Sequence, residues 1–287
     1  MKKERLLFAN VFIGFIVLSI FLGFISIFGV EIIQAEIIDI ETIIKKSNHA
    51  ALYQGADCRG KVTMIIKDKQ GRIRERSFNM LRKNDDTNDQ NQKYFTFFKS
   101  PADVRKMTFM VHKHAALEKD DDRWLYMPSL DLVKRIAAGD KRTSFVGSDF
   151  LYEDISGRSS EEDKHKLIRT TDQYYIIKNI PKKPESVTFE YYIAYIDKSS
   201  FVPMKIEFFK KGNTRFRVIK TIKLEQIQSQ ENGKQVTYPT VTESIAKNLQ
   251  SGSQTEMTFS NVRYNTGISD KIFTERYLRR PPRDLIR

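Results

Sequence analysis

The sequence pattern that most restricts the fold is a succession of twelve short hydrophobic runs separated by polar breaks. β-Branched and aromatic residues are frequent in the runs, and turns such as Lys69-Gln70-Gly71 and Glu231-Asn232-Gly233 separate several of them. Runs of this length with short connections predict a mainly β fold, in which one antiparallel sheet is large enough to curl. An amphipathic helix over residues 37–53 is predicted before the first run. The runs span residues 61–68, 72–81, 94–99, 104–112, 123–127, 132–136, 167–180, 187–196, 204–210, 215–228, 235–248 and 254–264.

Aromatic side chains alternate along two of these runs. Successive side chains of a strand point to opposite faces, so Phe95 and Phe97 are predicted to share one face of their run. The same spacing predicts one shared face for Phe189 and Tyr191 in the run 187–196. Such stripes most often belong to a packed core, and they also suit the wall of a ligand cavity.

The first 35 residues predict export of the rest of the chain. Three basic residues among the first five precede an apolar run of 25 residues, Leu6 to Val30, and such residues stay on the cytoplasmic side of the membrane. The run exceeds the usual signal-peptide core of about 7–15 residues and is long enough to cross a bilayer. Residues 1–35 are therefore predicted to be a signal peptide cleaved after Ala35 or a retained anchor in the inner membrane. In both cases residues 36–287 form one folded domain in the periplasm.

The charge of the exported part restricts its partners. The chain has a net charge of +13, and the leader's three basic and two acidic residues leave +12 for residues 36–287. A surplus of this size suggests nucleic acid in a cytosolic protein, but export makes nucleic acid an improbable partner. An anionic membrane surface or an acidic face of a membrane protein is the partner that a positive field would attract. The alternative is a basic surface that only keeps the protein soluble.

No group of residues in the sequence predicts catalysis. The single cysteine, Cys58, has no histidine and asparagine pattern around it and lies too far from the leader to be a lipid-attachment site. His112 and His114 share a strand face but lack the further ligands of a zinc site. Phosphate loops, nucleophile elbows and zinc-protease motifs do not occur. The chain is therefore predicted not to be an enzyme and to use neither a cofactor nor a metal.

Two adjacent carboxylates, Glu153 and Asp154, form the one pair that resembles an acid–base site. Neighbouring positions of a helix do not converge on one atom, which disfavours joint catalysis. Arg135, Lys141 and Arg142 lie shortly before them in the sequence. The prediction is a structural ion-pair latch that holds this loop against the sheet.

The block from residue 122 to residue 156 resembles a known family. It contains a Trp-x-Tyr-x-Pro strand at 124–128, Val-x-Arg-Ile at 133–136 and the turn Ser-Phe-x-Gly-Ser-Asp-Phe-x-Tyr-Glu-Asp at 144–154. These motifs resemble the centre of the LolA-like outer membrane lipoprotein-sorting family. Residues 97–109 and 270–280 resemble the upstream and terminal elements of the same family, with Lys106 where a glycine is commoner.

The resemblance implies a LolA/LolB-like incomplete barrel, a half β-barrel whose concave face is covered by a few short helices and receives acyl chains. It implies a periplasmic carrier that moves lipoproteins or other lipids between the inner and outer membranes, in some cases with an efflux-type exporter. The alternative is an envelope-sensing module on the same fold that signals by protein contact. Trp124 and Tyr126 suit either a cavity mouth or a packed core. The residues expected to contact acyl chains are Phe95, Phe97, Trp124, Tyr126, Phe145, Phe150, Tyr152, Phe189 and Tyr191.

Overall fold

The computed structural model of the protein describes residues 38–85, 88–116 and 118–282. The predicted signal peptide or anchor, residues 1–35, lies outside the described residues. Within those three ranges, no helix is both long enough and apolar enough to span a membrane.

In the described ranges, thirteen antiparallel strands form a single sheet, and the helices are short. The helices are α1 (Ile40–Asn48), which continues as a π-helical turn (His49–Tyr53), α2 (Tyr152–Ser156) and α3 (Glu275–Arg279), with 3₁₀ turns at Ala138–Arg142, Ser160–Glu162, Pro184–Ser186 and Asp270–Ile272. The strands are β1 (Asp57–Lys67), β2 (Ile73–Asn84), β3 (Gln92–Ser100), β4 (Thr108–Lys113), β5 (Asp122–Met127), β6 (Leu132–Ile136), β7 (Asp163–Thr170), β8 (Tyr174–Pro181), β9 (Tyr191–Asp197), β10 (Pro203–Lys210), β11 (Thr214–Glu231), β12 (Lys234–Asn248) and β13 (Ser253–Tyr264).

The strand order joins two meanders at one seam. β1 to β6 follow one another along the sheet, β7 to β13 do the same, and β1 pairs with β13 where the two halves meet. β6 and β7 are the two edges and do not pair with each other, so the sheet is not closed into a barrel. The prediction of a mainly β, open antiparallel sheet with few short helices is confirmed.

One predicted run is a hairpin rather than a strand. Residues 167–180 contain the end of β7, a turn and β8, which raises the number of strands from the predicted twelve to thirteen. The turn is closed by Thr171, whose backbone N–H donates to the carbonyl of Tyr174 at 2.9 Å and whose side-chain oxygen accepts from the Tyr174 N–H at 2.9 Å. A threonine turn of this kind contains neither glycine nor proline, so it gives a weaker sequence signal than the other turns.

The predicted helix over residues 37–53 is present from Ile40 onward. Asp39 caps it, since its side chain accepts a hydrogen bond of 2.8 Å from the backbone N–H of Thr42. Ile43 points inward and is fully buried. At the other end, Leu52 packs directly against Gly157, which has a positive φ of 77° and no side chain to obstruct the contact.

The segment of residues 138–156, here called the inner segment, packs on the same face of the sheet as α1, the inner face. Phe145 is completely buried, and its ring centroid lies 6.0 Å from that of Phe78, 5.9 Å from that of Phe98 and 5.6 Å from that of Phe109. Tyr152 contacts Phe145 edge-on at 5.4 Å. The inner segment therefore supplies the centre of the main core over strands β1 to β4.

A second core lies on the opposite, outer face of the sheet. Ile268, Ile272, Phe273 and Leu278 of the C-terminal segment pack against side chains of β2, β3, β4 and β5. His112 fixes this segment, because one of its ring nitrogens lies 2.9 Å from the carbonyl oxygen of Phe273. The C-terminal segment thus covers the outer face of the first meander.

Candidate functional site: an apolar cavity on the inner face

A cavity of about 640 Å³ lies between the second meander, α1 and the inner segment. Strands β7 to β13 all contribute side chains to it, so this part of the sheet curves around a single space. Its apolar wall consists of Ile44, Ala51, Leu52, Phe150, Ile155, Phe189, Ala194, Ile196, Val202, Ile206, Phe208, Ile219, Val241, Met257 and Phe259. The volume and the apolar lining are typical of small-molecule sites in proteins.

The cavity extends beneath the π-helical turn. A smaller space of about 220 Å³ shares Ala51, Leu52, Met80 and Ile155 with it. The inner segment fills the inner face over the first meander and contacts β11 through Asp149 and Asp154, whereas the inner face of β8 to β10 borders the cavity. The cavity therefore occupies the part of the inner face that the inner segment borders but does not fill.

Two of the nine expected acyl-contact residues line this cavity. Phe150 and Phe189 are in its wall, and both are largely buried, with 5% and 8% exposure. Phe145 and Tyr152 lie next to the cavity in the main core, where their rings contact each other and Phe109. Phe145 and Tyr152 therefore pack behind the residues that line the cavity.

Four of the expected residues lie on the outer face instead. Phe95 belongs to the second core, and Phe97, Trp124 and Tyr126 pack against it. Phe95 and Phe97 do share one face, and so do Trp124 and Tyr126, but the C-terminal segment covers that face. These four residues therefore do not line the inner-face cavity, and their contact with an acyl chain stays a prediction.

Tyr191 also lies on the outer face, where its ring stacks on Phe209 with a centroid distance of 4.8 Å. The predicted shared face with Phe189 is wrong because β9 begins only at Tyr191 and the preceding residues are irregular. Phe189 contacts Tyr192 instead, at 5.7 Å between ring centroids, and both line the cavity. The alternation of two residues per repeat holds only within regular strand.

An arginine of the sheet binds the inner segment at the cavity wall. Arg217 on β11 is buried and donates to both carboxylate oxygens of Asp154, at 3.3 Å to one of them. It also donates to the carbonyl of Asp149 at 3.1 Å, and its guanidinium lies 5.0 Å from the centre of the Phe208 ring. Arg217 therefore ties the inner segment to the curved half of the sheet.

Glu153 is the centre of a larger ionic cluster at the end of the cavity. Arg142 donates to it through Nε at 3.1 Å and through Nη2 at 3.0 Å. Lys141 and Arg158 approach the same carboxylate at 3.7 Å and 3.4 Å. Three cations thus surround one buried carboxylate, an arrangement that positions the loop.

The cluster reaches the edge strand β7 through Asp163. Arg158 donates to Asp163 at 3.0 Å from Nε, and Tyr192 donates to the same carboxylate at 2.8 Å. Burial alone would lower the pKa of Arg158, but the hydrogen bonds with Asp163 hold it above its ordinary value. Burial, together with the charge of Asp163, raises the pKa of Tyr192 well above its usual value. Both groups therefore keep their protons at neutral pH.

The structure brings together only part of the predicted ion-pair latch. Arg142, Lys141 and Glu153 meet as expected, whereas Arg135 is exposed on β6 and pairs with Asp122 of the neighbouring strand. Asp154 pairs with Arg217, which is 63 residues away in the sequence. Arg158, Asp163 and Arg217 were not predicted. Nothing in the local pattern marks the distant Arg217, whereas Arg158 lies five residues from both Glu153 and Asp163, and that spacing was an available signal.

The most numerous cavity residues that the sequence analysis missed are aliphatic. Ile206 alternates with Lys205 and Glu207 of the outer face along β10, whereas Ala194 follows Ile193 on β9 and Ile219 follows Val218 on β11. That alternation was a usable signal for a wall facing away from water. It does not distinguish a cavity from a filled core, since both need apolar side chains.

Three solved structures resemble this fold along most of their length. A DUF1329 family protein from Desulfovibrio piger has a TM-score of 0.71 and 26% sequence identity, over 82% of this chain and 95% of that chain. A putative outer membrane lipoprotein-sorting protein domain from Vibrio parahaemolyticus has a TM-score of 0.71 and 26% identity, over 83% of this chain and 97% of that chain. A LolA superfamily protein from Nitrosomonas europaea, with a TM-score of 0.59 and 19% identity over 84% of this chain and 99% of that chain, shares the fold.

These structures and the open sheet with its inner-face cavity show a LolA-like fold, as the sequence motifs predicted. A family model described only as an uncharacterized protein matches residues 90–280, more than half of the 287 residues, and the chain belongs to that family. No curated protein matches the sequence significantly.

Proposed function

We propose that this protein is a periplasmic carrier that holds acyl chains of lipids or lipoproteins in its inner-face cavity. The cavity of about 640 Å³ with its aliphatic and aromatic wall is the observation that carries the proposal. Burial of a methylene group is worth about 0.8 kcal/mol, so a sixteen-carbon chain would gain on the order of 10 kcal/mol before entropy costs. A ligand of this kind needs few polar contacts, and the charged groups at the cavity end are already paired with one another.

The relatives and the leader support the same role. One relative is described as a lipoprotein-sorting domain, and the apolar run at the start of the chain predicts export to the periplasm. In our proposal residues 1–35 are a signal peptide or an anchor, and residues 36–287 are the lipid-binding domain. An efflux-type exporter of the inner membrane is the proposed donor or acceptor of the cargo. Binding without chemistry is the proposed activity, because two carboxylates of the cavity wall, Glu153 and Asp154, have cationic partners and the third, Asp149, accepts from the hydroxyls of Ser253 and Thr255.

A displacement titration tests the proposal. A fluorescent fatty acid should bind with a stoichiometry of one per protein and should be displaced by a diacyl lipid or by an acylated peptide. Mass spectrometry of organic extracts from protein purified out of its own envelope should then identify the bound lipid. Well-folded protein that neither binds the probe saturably nor carries lipid would exclude the carrier function.

A further inference from the structure

The outer face of β7 to β11 is here called the basic outer face. It places positive side chains directly opposite one another, an arrangement that destabilises a sheet. The strand register places Lys166 directly opposite Lys178 and Lys205 directly opposite Lys220. Like charges in directly opposed cross-strand positions are destabilising. Arg169 is in the same cross-strand row as Lys205 and Lys220, through Ile176 and Tyr195. Two neighbouring rows of one face therefore concentrate positive charge.

The covered half of the outer face shows how the fold neutralises such a pair. Lys83 and Lys93 are also directly opposed, on β2 and β3. Asp270 of the C-terminal segment lies between them, 2.9 Å from the Lys83 ammonium and 3.2 Å from that of Lys93. An opposed lysine pair in this protein thus has a carboxylate partner where the chain itself covers the sheet.

The basic outer face has only one carboxylate in these two rows, Glu207. It is already bound by Arg215 at 2.5 Å and by Lys205 at 3.4 Å. Among the described residues, no carboxylate forms an ion pair with Lys166, Lys178 or Lys220. The positive charge of this face is therefore available to an external anion.

Aromatic and aliphatic side chains are interleaved with these cations. The ammonium of Lys178 lies 3.7 Å from the ring centroid of Tyr191, and that of Lys205 lies 3.7 Å from the ring centroid of Tyr195. Ile180 and Ile222 are 39% and 50% exposed on the strands β8 and β11. Lysines whose stems lie along tyrosine rings, next to exposed isoleucines, have the composition of a surface that rests at a lipid–water interface.

We propose that the basic outer face docks onto a bilayer that contains anionic phospholipid. Neighbouring strands are about 4.8 Å apart, so the cations, which four of the five strands carry, extend over roughly 20 Å in one layer. A layer of lipid phosphates is the anionic partner that such an extended array matches, and the interleaved apolar tips can enter the headgroup region. The inference extends the proposed carrier function by naming the surface that approaches the membrane, and it leaves the cavity free to exchange cargo.

Vesicle sedimentation tests the proposal, with purified protein that keeps its native N terminus. The vesicles contain phosphatidylcholine with or without phosphatidylglycerol. The test variant combines Lys166→Gln, Arg169→Gln and Lys220→Gln, three exposed positions of the basic outer face. The control variant combines Lys69→Gln, Lys134→Gln and Lys271→Gln, three exposed positions outside it, with the same change in net charge.

The wild-type protein should bind vesicles with phosphatidylglycerol more tightly than vesicles without it. The test variant should lose affinity by on the order of 100-fold at low ionic strength, while the control variant stays close to wild type. Equal losses of vesicle affinity in both variants would show that net charge alone is responsible. Equal binding to vesicles with and without phosphatidylglycerol would show that the partner is not an anionic bilayer. Either result overturns the proposal. Fatty-acid uptake in solution, measured on the same variants, should be unchanged, which separates a failure of docking from a failure of the carrier function.

Discussion

Filling the cavity with a side chain is the most direct test of where the ligand binds. Ala194 is 7% exposed on the inner face of β9, opposite Ile177 on β8 and Ile206 on β10. Replacement by phenylalanine adds a ring that points into the cavity. The ring takes the space of about six ligand methylenes. At about 0.8 kcal/mol for each buried methylene, the binding free energy falls by at most about 5 kcal/mol. A loss of this size corresponds to more than a thousandfold in affinity, and rearrangement of the ligand will reduce it.

Stability decides whether Ala194→Phe acts through the cavity. A larger side chain in a filled core typically lowers the free energy of unfolding by about 1–3 kcal/mol, because neighbouring groups must move. The cavity of about 640 Å³ gives the new ring space, so we expect little change in the melting temperature of the ligand-free protein. The assay is the fluorescent fatty-acid titration together with thermal unfolding of the same preparation.

Ile193→Phe is the matched control, because Ile193 is the adjacent residue of β9 and points to the outer face between Lys178 and Glu207. It should bind the fatty acid as the wild type does. If Ala194→Phe kept full affinity with an intact fold, the ligand would not occupy this cavity. A large fall in its melting temperature would mean that the space is already filled by the protein.

Further predictions concern the core, the ionic cluster and one buried lysine. Trp124→Ala should lower the melting temperature and retain binding per folded molecule, since Trp124 packs under the C-terminal segment, whereas Phe150→Ala should reduce binding in the fatty-acid titration. Glu153→Gln should destabilise the protein by about 3–5 kcal/mol in denaturant unfolding, because Arg142 and Arg158 lose the centre of a buried cluster. Unchanged stability would show that the cluster is not a latch, and loss of a lipid hydrolase activity with retained binding would contradict the non-enzymatic proposal. Burial lowers the pKa of Lys113 to about 8, whereas an unfolded lysine titrates near 10.5, so between these pH values the unfolded chain binds more protons and stability rises with pH. Lys113→Met should therefore raise the free energy of unfolding near pH 7, by at most about 3 kcal/mol, and the gain should shrink as the pH approaches 10.

The fold was largely predictable because strand periodicity is a local property. β6 has the predicted bounds, and most other strands differ from their predicted runs by a few residues. The main miss, the hairpin within residues 167–180, occurred where a threonine closes the turn. The predicted faces were correct for Phe95 with Phe97, where the strand is regular.

The cavity residues were less predictable because the sequence pattern does not say which face of a sheet another segment will cover. The aromatic stripe of Phe95 and Phe97 was typical of a packed core and also suited a ligand cavity, and the pattern did not show that the C-terminal segment would cover it. Ala194 and Ile206 are ordinary strand residues, and only their position opposite an unfilled part of the inner face makes them wall residues. Pairing of Arg217 with Asp154 depends on the curvature of the whole sheet, which no local pattern encodes.

The ionic cluster has a physical role that its energy alone does not explain. Buried ion pairs gain little over apolar side chains of similar volume, because desolvation offsets their attraction. An empty apolar cavity is itself unfavourable, since apolar groups around it gain contacts by moving in. Burial alone does not fix Phe145 and Phe150 at one position along the inner face, because apolar contacts have no preferred direction. The Arg217 pair with Asp154 and the Arg142 pair with Glu153 permit one position only, since each guanidinium makes two directed hydrogen bonds. We infer that these pairs hold the inner segment over the first meander and thereby keep the curved half of the sheet open for a ligand.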